Sequence, residues 1–231
     1  MSNPTPLEAI AAQALELVED GMTVGLGSGR AATAFVRALG ERLAAGLRGI
    51  RGLPTSEPTA AVAREVGIPL VGFEDAEFVD ITVDGADEVA PSLDMIKGYG
   101  RALVREKIVA AASRQVVILV GAEKLVPQLG SRGLVPVEVV PFAAPFCARA
   151  FRKLGCEPQR REEQGAPVVS DNGNWIIDCR VKPIADPAGF DASLRAIPGV
   201  VGTGLFIGIA DRVLVGDDDG SVRELVRGAA A

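Results

Sequence analysis

Residues 84–107 read D-G-A-D-E-V-A-P-S-L-D-M-I-K-G-Y-G-R-A-L-V-R-E-K, which sets carboxylates at Asp84, Asp87, Glu88 and Glu106 around an ammonium at Lys97 and glycines at Gly98 and Gly100. The chain contains no histidine. Proton transfer near neutral pH must then fall to a carboxylate or a lysine with a displaced pKa. Asp84 follows F-V-D-I-T-V, which places it at the carboxyl end of a buried strand, the edge where open α/β sheets bind ligands. Gly85 allows a turn that would bring Asp87 back toward the same crevice. Two carboxylates there could accept hydrogen bonds from sugar hydroxyls or assist proton movement. A turn held by Asp side chains bonding local N–H groups accounts for the same residues.

Further along the block, M-I-K-G-Y-G-R-A-L-V-R-E-K-I predicts a glycine-bearing loop leading into a helix from about Arg101. At about 100° per residue, Glu106 shares a face with Ala102, Leu103, Val109 and Ala110. A carboxylate on a small apolar face is partly desolvated, which raises its pKa and makes it a stronger base when ionised. The competing reading is a solvated helix surface with ordinary Arg/Glu/Lys pairs. Lys97, at a strand end or in the loop, could polarise a carbonyl, hold an enediolate oxygen or pair with phosphate; a solvated lysine is the default. Lys124, in V-G-A-E-K after another strand, is a second cation at that sheet edge.

Gly25–Arg30, G-L-G-S-G-R, follows a strand and opens a helix, so its backbone N–H groups can approach an anion at the helix N-terminus. A dinucleotide fingerprint needs a small residue where this chain has Arg30, and the Lys-Ser/Thr pair of a nucleoside-triphosphate loop is missing. A small phosphate or sugar hydroxyls fit better. A tight strand-to-helix turn that binds nothing is the alternative.

The elements that must position these groups follow from the apolar pattern. Helices are predicted over Leu7–Val18, from about Ala31 to Leu39, and after Thr55-Ser56-Glu57-Pro58, with Ser56 as cap and Pro58 in the first turn. Strands are predicted at Met22–Leu26, Ile50–Pro54, Ile68–Val71, Phe78–Val83 and Val116–Val120. Their unbroken apolar runs, alternating with helices, indicate a parallel sheet covered on both faces. After about Pro127 the order becomes strand (Val135–Val140), helix (Ala143–Leu154), strands near Pro158–Arg161 and Val168–Asp178, helix (Asp186–Ile197) and strand (Val200–Phe206). That β-α-β-β-α-β order is the split βαβ arrangement of ferredoxin-like domains. Asp171-Asn172-Gly173-Asn174 reads as a tight turn, and Arg212–Gly216 as a strand returning to the first sheet.

Composition narrows the partners. A formal charge of −6 argues against a broad phosphate-backbone partner such as nucleic acid, though an anionic small molecule can bind where cations cluster. Cys147, Cys156 and Cys179 are widely spaced, without a C-x-x-C pair or histidine to complete a zinc site, and read as reduced buried thiols. The N-terminus lacks a basic n-region and an apolar h-region, and no uninterrupted apolar run is long enough to span a membrane, so the expectation is a cytoplasmic protein.

Taken in order, V-G-L-G-S-G-R-A-A, V-D-G-A-D-E, M-I-K-G-Y-G-R-A-L-V-R-E-K-I, the residues Leu134–Val139 and I-P-G-V-V-G-T-G-L-F resemble ribose-5-phosphate isomerase, type A, with matches from about Val24 to Gly220. The resemblance implies an α/β fold, a Rossmann-like mostly parallel sheet (1–128 plus 207–231) with a smaller α+β ferredoxin-like domain (129–206). It implies interconversion of ribose 5-phosphate and ribulose 5-phosphate without cofactor or metal, by a homodimer or in some members a tetramer. Glu106 matches the family's base, Asp84 and Asp87 its acidic pair, and Lys97 its active-site lysine. Ser28, Gly29, Arg30 and Ala31, then Gly85 and Ala86 beside the acids, then Gly98, Tyr99 and Gly100, together with Lys124, match its substrate-binding positions. Many members read G-T-G-S-T where this chain has G-S-G-R-A, and often K-G-G-G where it has Tyr99. If the Tyr99 position needs positive φ the residue is strained; if not, its ring shapes the pocket.

Two rivals come from the same residues. A sugar-phosphate sensor would need an output module, and no basic helix-turn-helix segment is spare. A sibling amino-sugar-phosphate deaminase generally looks to histidine, and a coenzyme A transferase would form a thioester on a glutamate.

Overall fold

The computed structural model describes residues 5–217 and 219–228. Its elements in chain order are α1 (Pro6–Leu15), β1 (Thr23–Leu26), α2 (Arg30–Ala44), β2 (Arg51–Pro54), α3 (Glu57–Glu65), β3 (Ile81–Gly85), β4 (Glu88–Val89) and β5 (Met95–Ile96). There follow α4 (Leu103–Ala111), β6 (Val116–Gly121), β7 (Leu134–Val139), α5 (Ala144–Lys153), β8 (Glu157–Arg160), β9 (Glu162–Glu163) and β10 (Ala166–Pro167). The chain closes with β11 (Trp175–Arg180), α6 (Pro187–Arg195), β12 (Val200–Thr203), β13 (Leu205–Phe206), β14 (Arg212–Gly216) and β15 (Val222–Val226). They fall into two units, one of Met1–Ala86, Arg105–Lys124 and Ile209–Ala231, the other of Asp87–Val104 and Leu125–Gly208. The division sets Asp87–Val104 with the second unit, because β4 and β5 pair with each other and β5 with β13 rather than with the large sheet.

The first unit is built on a sheet of order β15-β14-β6-β3-β1-β2, parallel except for the antiparallel β15 at its edge. Buried on both faces, β1 and β6 need apolar side chains at successive positions, hence the runs T-V-G-L and V-V-I-L-V. Ile10, Ala14, Phe35, Leu39 and Ile81 fill the core beside them. Ser56 caps α3 by accepting the Thr59 N–H, with Pro58 in the first turn, as the sequence predicts. Ile68–Val71 does not extend into a strand: among the described residues it pairs with the sheet at a single Gly52–Leu70 bridge, while Ile68 packs into the core. Beyond the predicted strand at 212–216 lies β15, whose mixed polar residues match an exposed edge rather than a buried one.

In the second unit a four-stranded antiparallel sheet has the order β12-β7-β11-β8. With α5 between β7 and β8 and α6 between β11 and β12, this is the ferredoxin-like split βαβ. Along β7 the side chains alternate: Val135, Val137 and Val139 join Cys147, Phe151 and Leu194 in the core, while Pro136 and Glu138 fall on the other face. Glu138 is fully buried, and its Oε1 accepts from Ser170 Oγ at 2.9 Å, Asn172 Nδ2 at 3.1 Å and Asn174 Nδ2 at 2.9 Å. That carboxylate anchors the tight turn predicted at 171–174. The predicted strand 200–206 divides in two, since Gly204 turns its backbone against the Lys97 carbonyl and passes β13 to a different sheet. Among the described residues no helix is long and apolar enough to cross a membrane.

Candidate active site

At the carboxyl edge of the first unit's sheet, β1 sends its connection to β2 on one side while β3 lies on the other, the switch point where open α/β sheets bind ligands. Asp84 sits there at the penultimate position of β3, 2% exposed. Its Oδ1 accepts the Ser28 N–H at 3.0 Å and the Gly85 N–H at 2.7 Å, so the glycine loop after β1 wraps the carboxylate. Both Asp84 and the Asp-turn reading were legible; the donor from Ser28, distant in sequence, was not. Gly27 is required by this approach, because a Cβ there would lie 2.3 Å from the Asp84 carboxyl carbon. Gly29 caps α2 with φ 92, a conformation glycine adopts without strain.

Beneath that loop lies a hydroxyl network that sequence reading missed. Ser28 Oγ donates to Ser56 Oγ at 2.8 Å, Ser56 to Thr59 Oγ1 at 2.9 Å, and Thr59 to the Gly27 carbonyl at 2.9 Å, with Thr55 Oγ1 also 2.8 Å from Ser28. Its only sequence signal was T-S-E-P, read as a helix cap alone. Arg30 begins α2 exposed, followed by half-buried Ala31. Lys124 ends a short turn of 3-10 helix after β6, so its side chain also issues from the carboxyl edge.

On α4, Glu106 is 4% exposed and lies in the first turn. Ala102, Leu103, Val109 and Ala110 are buried as the helical wheel requires, so the solvated-surface reading fails. Val109, one turn on, packs toward Gly25 and Thr82 of the sheet, and Arg105 pairs with Glu57 of α3 at 3.1 Å.

The second unit carries Asp87 and the Lys97–Gly100 loop. Lys97 is 3% exposed, with its N–H donated to the Gly204 carbonyl at 2.8 Å and its ammonium 5.5 Å from the centre of the Phe206 ring. An ammonium so placed gains from the aromatic face and is not a solvated surface lysine. Gly98 has φ 110, and a Cβ on it would meet Leu103 at 2.8 Å. Asp87 Oδ2 accepts the Tyr99 N–H at 3.0 Å. Burial first, then the charges of Asp87, Glu88 and Asp178, push the Tyr99 phenol up to about 12, with Arg132 opposing. Tyr99 does not have a positive φ: the non-glycine residue of the loop that does is Arg101, at φ 70. Gly100 is exposed. Glu88, fully buried, accepts the Gly130 and Arg132 N–H groups at 2.7 and 2.8 Å, which commits it to holding that loop.

Ala86 and Asp87 straddle the division between the units, so the first unit holds Ser28–Ala31, Asp84–Ala86, Glu106 and Lys124 and the second holds Asp87 and Lys97–Gly100. Among the described residues no cluster of Cys, Asp or Glu is arranged to hold a metal ion.

Comparison with known proteins identifies the family. The model of the family described as ribose 5-phosphate isomerase A (phosphoriboisomerase A) matches residues 51–220. A ribose-5-phosphate isomerase A of Gloeobacter violaceus is 51% identical over 214 residues, 92% of this chain and 93% of that protein. The ribose 5-phosphate isomerase A structure from Methanocaldococcus jannaschii superposes with a TM-score of 0.91 at 40% identity, covering 96% of this chain and 98% of the other. A D-ribose-5-phosphate isomerase solved in complex with phospho-erythronic acid gives a TM-score of 0.93 at 38% identity over 96% and 98% of the two chains. The chain belongs to the ribose 5-phosphate isomerase A family.

Proposed function

We propose that this chain interconverts D-ribose 5-phosphate and D-ribulose 5-phosphate, a step of the non-oxidative pentose phosphate pathway, with Glu106 as the base. The observation that carries the assignment is the burial of Glu106 on an apolar helix face in a chain without histidine. The furanose must first open, and Asp84 or Asp87 moves the ring-opening proton. Glu106 then takes the C2 proton of the aldehyde and returns it to C1 of a cis-enediolate. Lys97 supplies positive charge to the oxygen that becomes anionic. The phospho-erythronic acid bound by the solved relative supports this reading, since its carboxylate carries two coplanar oxygens as an enediolate does.

The phosphate takes Arg30, Lys97 or Lys124. An arginine in the first turn of a helix opposes the helix dipole, at a cost of about 0.3–1 kcal/mol that a bound anion would reverse, which favours Arg30. Ser28, Gly29 and Ala31, Gly85 and Ala86, and Gly98, Tyr99 and Gly100 contact the sugar and its oxygens. No cofactor or metal has a role in the scheme. A cytoplasmic setting fits three cysteines outside any disulfide, and a homodimer is proposed from the family resemblance.

The test is Glu106→Gln, assayed by a coupled ribulose 5-phosphate readout and by deuterium uptake at C1 of the ketose in heavy water. General-base catalysis contributes ~10²–10⁴-fold, so turnover should fall at least that far with folding preserved. Near-normal turnover would overturn the assignment. Absence of deuterium uptake by the parent protein would instead favour a non-isomerase reading.

A further inference from the structure

Arg161, the residue just after β8 in the second unit, is tied in four ways. Its Nε and Nη2 form a two-pronged pair with the Asp178 carboxylate at 2.8 and 2.5 Å, and its Nη1 donates to the carbonyls of both Gly98 and Tyr99 at 3.0 Å each. Both side chains of the pair are 16% exposed. The backbone beneath is equally fixed, with the Arg161 N–H on Ile176 O and its carbonyl accepting from Val168 N, each at 2.9 Å. One guanidinium thus spans from the strand pair β8/β11 to the loop that carries Lys97.

The consequence follows from the planarity of the peptide bond. In a trans peptide the C=O and N–H point in opposite directions, so holding a carbonyl aims the following N–H. The Gly98–Tyr99 peptide is gripped at both ends, its carbonyl by Arg161 and its N–H by Asp87 Oδ2 at 3.0 Å. The Tyr99–Gly100 peptide is gripped by its carbonyl alone, so its Gly100 N–H is turned away from Arg161. Among the described residues that N–H makes no protein hydrogen bond. Lys97 itself is held from the other side, through its N–H on Gly204 O. Gly98 is buried and its carbonyl also accepts the Arg101 N–H at 3.1 Å, but Tyr99 and Gly100 are exposed, and among the described residues the donor to the Tyr99 carbonyl is the Arg161 guanidinium.

We propose that Arg161, fixed by Asp178, is a positioning residue for the reaction, setting the peptide planes of the Lys97–Gly100 loop so that Lys97 and the Gly100 N–H are presented to the oxygens of the substrate. This rests on the reading that the Lys97 loop serves the isomerase site. Asp178 makes the arrangement rigid and cancels the guanidinium charge, leaving its donors directional. A lysine cannot replace it, since one ammonium has no planar fork to hold a carboxylate at two points and still reach two carbonyls.

The experiment compares Arg161→Lys, Arg161→Ala and Asp178→Asn with Arg160→Lys, a neighbouring exposed arginine paired with Glu162. Displacement of a catalytic group by about 1 Å costs on the order of 10²-fold. Arg161→Lys should therefore lose roughly 10–100-fold in kcat with a much smaller change in KM, Asp178→Asn should lose less, and Arg160→Lys should match the parent. Guanidinium ion at tens of millimolar should restore part of the Arg161→Ala activity, and urea, of similar shape but uncharged, should not; a merely structural role predicts neither. If Arg161→Ala does not fold, Arg161→Lys, verified as folded by its unfolding transition, decides. Parent-like kcat in folded Arg161→Lys overturns the proposal. Lys97→Met separates the two readings: full activity there removes the loop from the site, whereas inactive Lys97→Met beside fully active Arg161→Lys removes only Arg161.

Discussion

Replacing Gly27 by alanine puts a Cβ 2.3 Å from both Cγ and Oδ1 of Asp84 and 2.5 Å from its α-carbon. Carbon atoms settle near 3.5–4.0 Å apart, so roughly 1.2–1.7 Å of separation must be found at the carboxyl carbon. Rotating the carboxylate away would break its bonds from the Ser28 and Gly85 N–H groups at 3.0 and 2.7 Å. No side-chain rotation relieves the clash with the Asp84 backbone, so the end of β1 must also part from β3, where Gly27 N–H donates to Val83 O at 3.0 Å. Overpacking of this kind costs about 1–3 kcal/mol of stability. A displacement of about 1 Å at a group that takes part in the chemistry costs on the order of 10²-fold, or about 2.7 kcal/mol of transition-state stabilisation. Gly21→Ala is the control: Gly21 has φ 83 and nothing within 4 Å of the added methyl, so it bears only a left-handed penalty, about 1–2 kcal/mol. Urea unfolding and kcat/KM for ribose 5-phosphate should be measured on both. Both variants should lose comparable stability, and only Gly27→Ala should lose activity. If folded Gly27→Ala keeps kcat/KM within about 3-fold of the parent, the Asp84 carboxylate has no positional role in catalysis.

Two further outcomes follow from the Lys97 loop. Arg101→Gly should stabilise the protein: relief of the left-handed conformation gains about 1–2 kcal/mol, against about 0.4–1 kcal/mol for the freer unfolded chain. The lost ion pair with Glu163 joins side chains 45% and 60% exposed and contributes little, so the urea midpoint should rise; a fall would refute the strain. Tyr99→Phe tests the raised phenol. Between about 10, its ordinary value, and about 12 the unfolded chain has lost the proton while the folded one keeps it, so stability falls as pH rises through that window. Alkaline unfolding followed by circular dichroism should be shallower in Tyr99→Phe, and an unchanged slope would place the phenol in ordinary solvent.

Local chemistry carried much of this protein in plain view. The helical wheel around Glu106 needed only the 3.6-residue period, and Ala102, Leu103, Val109 and Ala110 are all buried as it demands. Most of the β-α-β-β-α-β order after residue 127 was legible because its helices and inner strands carry apolar periods, whereas β8, E-P-Q-R, is a largely exposed edge strand with none. Ile68–Val71 misled because a short apolar run reads the same whether it pairs along its length or at a single bridge. Sequence leaves the φ of Tyr99 open, and the positive φ falls on Arg101 instead, since φ depends on how a loop is pulled at both ends.

The sequence by itself determined which groups could act. It excluded histidine, set Glu106 among apolar neighbours, and put glycines where backbone must approach a carboxylate, because these follow from residue type and short-range spacing. Tertiary structure alone decided what holds those groups still. Ser28 reaches Asp84 across 56 residues, and Arg161 reaches the Lys97 loop across more than 60. The same structure gave Glu88 and Glu138 to backbone and turn. Hydrogen-bond partners so distant along the chain leave no periodic trace in it, since only the pairing of strands brings their donors and acceptors within reach.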